Sequence, residues 1–297
     1  MATLLAGKPV VERMALDLGA RIHALKEAGV VPTLALVRVG ARPDDLSYER
    51  TAAKRAETLD IAVRSIALDE FAPQQAVEAA VRDVSCDEGI HGCLLFRPLP
   101  SFVNEARVCE LLAPEKDVDG ITLASLGSVF TDGHTGFPPC TAAACIEMLD
   151  HYDVPLVGKH VVVVGRSLVV GKPVSMMLLR RNASVTICHS KTEHLEDICR
   201  EADIVICATG RARAFGAAYF SPGQTVLDVG INFDTHGKLC GDVAFDEVEP
   251  VVGAITPVPG GIGTVTTSVT MAHTVQAAEA AQATAEEPSS GYASPWC

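Results

Sequence analysis

The chain has 297 residues, 48% of them apolar and 21% charged, which is enough length and hydrophobic content for two domains with cores of their own. Its formal charge of −13 argues against nonspecific nucleic-acid binding, which needs a basic face to meet phosphates, but leaves room for an anionic small molecule held by a local cluster of Lys and Arg. Residues 1–18 mix charged with apolar side chains and do not read as a signal peptide, and no window reaches the length of a membrane span.

The ten cysteines form no C-x-x-C and no Cys/His metal spacing. Several, such as Cys188 and Cys207, sit in apolar runs where a reduced thiol packs as a small hydrophobe. This pattern predicts a cytoplasmic setting and no metal site.

Lys8 to Ala28 has helical spacing and stops at Gly29, and "TLALVRVG" after it reads as a buried strand. Ser47 to Leu59, rich in Ala, Glu, Lys and Arg, predicts a helix bordering solvent. "VRSIAL" predicts a short strand, Pro73 to Cys86 an amphipathic helix, and "IHGCLLF" a buried strand stopped by "RPLP". Leu126 to Thr141 is turn-rich and reads as a boundary region, with a connecting helix over Thr141 to His151.

A second series follows: "HVVVVG", a helix, "ASVTICHS", a helix, "ADIVICATG", "QTVLDVGIN" and "GAITPVPGG". The Ala-rich run Thr267 to Thr284 predicts a final helix long enough to pack back on the first domain. Strands alternating with helices imply parallel βα units, hence a two-domain α/β fold. The expected division is 1–142 completed by the helix 267–284, then a Rossmann-like parallel-sheet domain over 143–266. Residues 285–297, which include Trp296 and Cys297, read as a disordered tail.

The stretch "VVVVGRSLVVGKP" carries the first chemical signal. Four β-branched residues, Val161 to Val164, suit a central parallel strand with both faces covered. Gly165 ends that strand, Gly171 follows six residues later, and Pro173 fits a first helical turn, where backbone N–H groups attract phosphate. Alone, G-x5-G is equally a structural turn.

The next strand, "SVTIC", ends in His189, Ser190 and Lys191, with no acid to hold a ribose 2′-hydroxyl. With Arg166 in the first turn, this favours NADP over NAD. The same residues also read as solvated loop charges, and the 189–191 cluster could hold inorganic phosphate beside NAD.

"PEKDVDG", "PPCTAAA", "VVGRSLVVGKP" and "TPVPGGIGTVT", in that order along a stretch of roughly Val37 to Thr274, together resemble the methylenetetrahydrofolate dehydrogenase/cyclohydrolase family. The resemblance implies a homodimeric oxidoreductase and hydrolase of one-carbon metabolism, with a folate cleft between a catalytic and an NADP-binding domain. It implies Gly165, Arg166, Ser167 and Ser190 at the cofactor with Ile231 beside it, where the residue reading adds Lys191, and it implies Asp119 as the acceptor for the pterin amino and ring N–H groups. Without the family, Asp119 reads as a turn residue. Pro259, Gly260 and Gly261 are implied to bring backbone close to the folate.

One region departs from the pattern, which is Tyr-x-x-x-Lys with a second lysine two positions on. Tyr48 falls on the tyrosine and Lys54 on the second lysine, but Ala52 stands where the catalytic lysine belongs. Phe96 replaces the glutamine before "PLP". On a helix two residues turn the side chain by about 200°, so Lys54 should face away from the Tyr48 side. Arg97 cannot serve as a base at neutral pH.

The expectation is a dehydrogenase with weak or absent cyclohydrolase activity. The competing readings are a fully bifunctional enzyme, a noncatalytic folate or nucleotide sensor, and an unrelated NADP dehydrogenase. The last would want a cleft base, and His91 and His273 lie in apolar contexts that suit packing better.

Overall fold

A computed structural model describes residues 1–286. In chain order the strands and helices are β1 (Thr3–Leu4), α1 (Gly7–Glu27), β2 (Thr33–Val39), α2 (Pro43–Thr58), β3 (Ala62–Leu68), α3 (Gln74–Cys86), β4 (Gly92–Leu95), α4 (Glu105–Cys109), α5 (Leu123–Thr131) and α6 (Cys140–His151). They continue as β5 (His160–Val164), α7 (Gly171–Arg180), β6 (Ser184–Cys188), α8 (Leu195–Arg200), β7 (Ile204–Cys207) and β8 (Thr225–Asp228). The rest are β9 (Asn232–Phe233), β10 (Leu239–Cys240), α9 (Phe245–Val248), β11 (Ala254–Ile255) and α10 (Ile262–Glu286).

The chain divides into two compact units, one of residues 14–138 and 267 onward, the other of residues 1–13 and 139–266. The first holds a parallel three-stranded sheet in the order β3-β2-β4. Both faces of β2 are buried: Leu34 and Leu36 face Leu18, Ile22, Ala52, Ala56, Met271 and Val275, while Ala35, Val37 and Val39 face Val77, Val81 and Val84. This two-sided burial is why "TLALV" reads as a continuous apolar run rather than an alternating one.

The second unit holds a six-stranded parallel sheet in the order β1-β11-β8-β7-β5-β6. Counted from β5, this is the doubly wound order in which the second strand lies outside the first and the third lies on its other side. The order therefore reverses between β5 and β7, and the crevice beyond the carboxyl ends of those strands is where such sheets take ligands.

Several expectations need correction. Residues 1–13 group with 139–266, because β1 pairs with β11 through Thr3↔Ala254 and Leu4↔Ile255. A two-residue strand has no periodicity to read. Helix α2 begins at Pro43, not Ser47, with proline in its first turn and Asp44 and Asp45 near its positive end.

Leu126 to Thr141 is not all turn. Helix α5 occupies Leu123–Thr131, capped by the Thr122 hydroxyl, which accepts from the Ser125 N–H (3.1 Å), and ended by left-handed Asp132. The last helix starts at Ile262 and includes residues 285 and 286, which the sequence reads as tail. Residues 287–297, with Trp296 and Cys297, lie outside the described residues. Among the described residues, nine cysteines form no disulfide with one another.

Candidate active site

The crevice between β5 and β7 is walled by glycine. Gly165 has φ +136°, donates its N–H to Cys188 O at 2.9 Å, and has no room for a side chain: a Cβ there would overlap the Ala208 carbonyl. A Cβ on Gly171 would overlap the Gly165 carbonyl. Only glycine lets the strand end, the start of α7 and the β7 exit approach this closely.

The turn between is tied internally. The Lys172 N–H donates to Ser167 O (3.0 Å), and the Val170 N–H donates to the Ser167 hydroxyl (3.1 Å). Arg166 and Ser167 are exposed.

Because Val164 pairs with Cys188, the turn after β6 lies beside the glycine turn. His189 closes it by donating its N–H to Thr192 Oγ1 (2.9 Å) and accepting the Lys191 N–H on Nδ1 (3.2 Å), which leaves the Ser190 and Lys191 side chains exposed. Ile231, 66% exposed, follows β8 in the same unit. A glycine-walled cradle with an exposed guanidinium, hydroxyl and ammonium fits a dinucleotide phosphate.

Two carboxylates beneath this crevice escape sequence reasoning. Asp228 at the end of β8 accepts N–H groups from Gly230, Asp242 and Val243, each at 2.9 Å. Burial pushes its pKa up to about 6 against the opposing pull of those three donors. Asp242 gathers donors from the turn after β7. In sequence both look like ordinary strand-end or turn acids, so the signal was absent.

In the other unit, Tyr48 and Ala52 share one face of α2. Tyr48 is half-buried and meets the Phe96 ring edge-on, with centroids 5.8 Å apart and planes at 85°. Ala52 is 0% exposed and Phe96 5% exposed, and both belong to the apolar cluster that includes Leu36, Leu94, Phe137 and Met271. Lys54 lies on the exposed side of the helix, as its angular offset predicts. Arg97 points its guanidinium at Glu105 (3.4 Å).

The "DVDG" turn separates its two acids. Asp117 is fully buried and occupied by the turn itself, accepting from the Ile121 N–H (2.9 Å), the Thr122 N–H (2.8 Å) and the Ser125 hydroxyl (2.7 Å). Asp119 is half-buried.

Between them, Val118 O accepts the His273 Nδ1–H (2.8 Å), and the His273 ring stacks on Phe137 at 4.8 Å. Burial depresses the His273 pKa to about 4, so the imidazole is neutral and structural. His91 accepts the Thr33 N–H on Nδ1 (3.2 Å), also a packing role.

Pro259, Gly260 and Gly261 belong to the sheet-of-six unit, where the Gly7 N–H donates to Gly260 O (2.7 Å) and a Cβ on Gly7 would sit 2.5 Å from Gly261 O. Tyr48 and Asp119 belong to the other unit.

A doubly wound sheet with a glycine-walled phosphate cradle defines a dinucleotide-binding enzyme class, joined here to a separate α/β unit. The family model described as the tetrahydrofolate dehydrogenase/cyclohydrolase NAD(P)-binding domain matches residues 139–282, and the corresponding catalytic-domain model matches residues 5–119.

"Bifunctional protein FolD" of Carboxydothermus hydrogenoformans is 52% identical over 281 residues, covering 94% of this chain and 98% of its own length. The crystal structure of the Campylobacter jejuni bifunctional FolD matches with TM-score 0.92 at 34% identity, over 94% of this chain and 99% of that one. The Trypanosoma brucei FolD structure, complexed with NADP cofactor and inhibitor, matches with TM-score 0.88 at 31% identity, over 94% and 98%. The chain belongs to the tetrahydrofolate dehydrogenase/cyclohydrolase family.

Proposed function

We propose that this chain is an NADP-dependent methylenetetrahydrofolate dehydrogenase in which the family's cyclohydrolase step is weak or absent. The observation that carries the reading is the apolar cluster that holds Ala52 and Phe96, with Tyr48 packed against it and meeting Phe96 edge-to-face, and the helix's one lysine on its exposed side. Tetrahydrofolate derivatives are its substrates, and a cytoplasmic homodimer is its expected form.

When bound, NADP supplies the hydride acceptor. The turn that follows Gly165 would hold its phosphates, as strand-to-helix turns of this kind do. Arg166, Ser190 and Lys191 offer two cations and a hydroxyl to a 2′-phosphate, and no carboxylate at the β6 end selects the bare ribose. Ile231, exposed after β8, would lie beside the cofactor. Asp119 accepts paired hydrogen bonds from the pterin, Tyr48 supports its rings, and Pro259, Gly260 and Gly261 bring backbone to the folate.

Hydride loss from the one-carbon unit leaves a cation stabilised by the folate nitrogens, so the residues mainly align the reactants. Hydrolysis of that cation is different, because a proton must leave the attacking water and be returned. An alanine and a phenylalanine can do neither. General acid–base help of this kind is worth about 10²–10⁴-fold, and that factor should be missing.

The relatives' name, bifunctional, makes the full two-step enzyme the second reading, which would need a proton carrier other than Ala52 or Lys54. A noncatalytic sensor is disfavoured because the crevice and Asp119 are both kept. The test follows NADP reduction with methylenetetrahydrofolate, beside NAD, while the folate product is identified. Methenyltetrahydrofolate accumulating in step with NADPH is expected. Formyltetrahydrofolate appearing at the same rate, or no NADP reduction, would refute the proposal.

A further inference from the structure

Asp242, between β10 and α9, is 0% exposed yet surrounded by donors. Its Oδ2 accepts the Thr209 N–H, the Thr209 hydroxyl (2.9 Å) and the Gly210 N–H (3.1 Å). Its Oδ1 accepts the Arg211 N–H (2.9 Å) and the Asn232 side-chain amide (2.9 Å). Five donors converging on one side chain call for a group that only accepts, which a carboxylate is.

The knot is itself held. Asp228 Oδ1 accepts the Asp242 N–H (2.9 Å), and Gly230 and Gly241 stand where any Cβ would overlap the Asp242 and Asp228 carboxyl groups. Glycine at these two places is what lets both acids reach the interior.

The origin of the donors says what the knot is for. A link serving only the sheet would draw on strand amides. This one draws on three consecutive residues of the turn leaving β7, next to Ala208, whose carbonyl backs Gly165 at the point where the strand order reverses. Its fifth donor comes from Asn232, the neighbour of Ile231. Both segments border the crevice where a doubly wound sheet takes its dinucleotide.

We propose that Asp242 is a positioning residue for the cofactor, fixing the Thr209–Arg211 turn and the Ile231–Asn232 segment in the shape the dinucleotide requires, with Asp228 holding Asp242 in place. The inference stands on the NAD(P)-binding domain and not on the folate reading. Loss of the knot lets the turn relax, so binding must reorder it and weakens. Turnover at saturating cofactor is affected less.

The test uses the full chain without cofactor. NADP affinity is measured by calorimetry, and hydrogen exchange is measured at the amides of residues 209–211. In Asp242→Asn, whichever way the amide turns, one set of donors faces an NH2 group. NADP binding should weaken about 10- to 100-fold, the three amides should exchange faster, and KM for methylenetetrahydrofolate should not move.

Thr209→Val removes one of the five bonds and should weaken NADP binding about 3- to 10-fold, while Thr209→Ser, which keeps the hydroxyl, should stay within about twofold of the original chain. If Asp242→Asn does not fold, the Thr209 pair decides. A folded Asp242→Asn that binds NADP within about twofold of the original, or Thr209→Val indistinguishable from Thr209→Ser, overturns the proposal.

Discussion

The cofactor crevice and the Tyr48 face of α2 are built on opposite plans. Under the crevice, Asp228 and Asp242 are almost wholly buried, and each accepts at least three hydrogen bonds from the turns above. Polar groups there are buried because they are paired. On the Tyr48 face, Ala52 and Phe96, which the proposed function sets at the positions of the family's amine and amide, pack into an apolar cluster.

The contrast separates binding from proton transfer. A site can hold two substrates in line with fixed donors and acceptors alone, but moving a proton needs a group that changes its charge. Under the proposed function, the chain keeps the first kind of group and has replaced the second.

The largest expected effect is on the polar side of the comparison. Gly165→Ala puts a methyl into the Ala208 carbonyl at a backbone angle that side chains rarely adopt. NADP affinity measured by titration should fall more than about 100-fold, and retained affinity would mean that the glycine wall is not the cradle.

A smaller effect concerns the histidine behind the "DVDG" turn. The His273 pKa, about 4 in the fold, lies below its ordinary value of 6.5, so the unfolded chain takes up a proton that the folded chain refuses. Stability from His273 is therefore present above pH 6.5 and lost as pH falls toward 4. At pH 5 the loss should be about 2 kcal/mol relative to pH 7.5.

Asp228 acts with the opposite sign. Its folded pKa of about 6 exceeds its ordinary 3.8, so its contribution is full below 3.8 and disappears as pH rises through about 6. Comparing urea unfolding of the original chain with His273→Asn cancels Asp228 and isolates the histidine. Equal pH dependence in both chains would contradict the assignment.

The smallest expected effect is the most discriminating for the apolar side. Lys54→Ala should leave the dehydrogenase rate unchanged and stability within about 0.5 kcal/mol, because Lys54 is exposed. A large loss of either folate reaction would show the lysine reaching back to the site.

Much of this was legible in the sequence because burial leaves a pattern. The run "HVVVV" has both faces covered and reads so, and Ala52 and Lys54 fall on different sides of α2 from spacing alone. Strand β1 was not legible, since it exists only through its partner β11.

Without the resemblance, Asp119 reads as a turn residue, and nothing in the sequence shows that its neighbour Asp117 is consumed by the amides of Ile121 and Thr122. Asp228 and Asp242 are fourteen residues apart in the chain, and their joint role appears only when β8 and the loop after β10 are folded together. Side-chain-to-turn knots of this kind carry no local periodicity, so a single sequence hides them.

The most direct measurement is the decay of methenyltetrahydrofolate in buffer, with and without the purified chain, under conditions where the same preparation reduces NADP with methylenetetrahydrofolate. A pocket without a proton carrier predicts decay at or near the buffer rate. Decay accelerated to match the dehydrogenase turnover would show that a titrating group reaches the one-carbon unit after all, and the proposed division between retained alignment and lost proton transfer would be wrong.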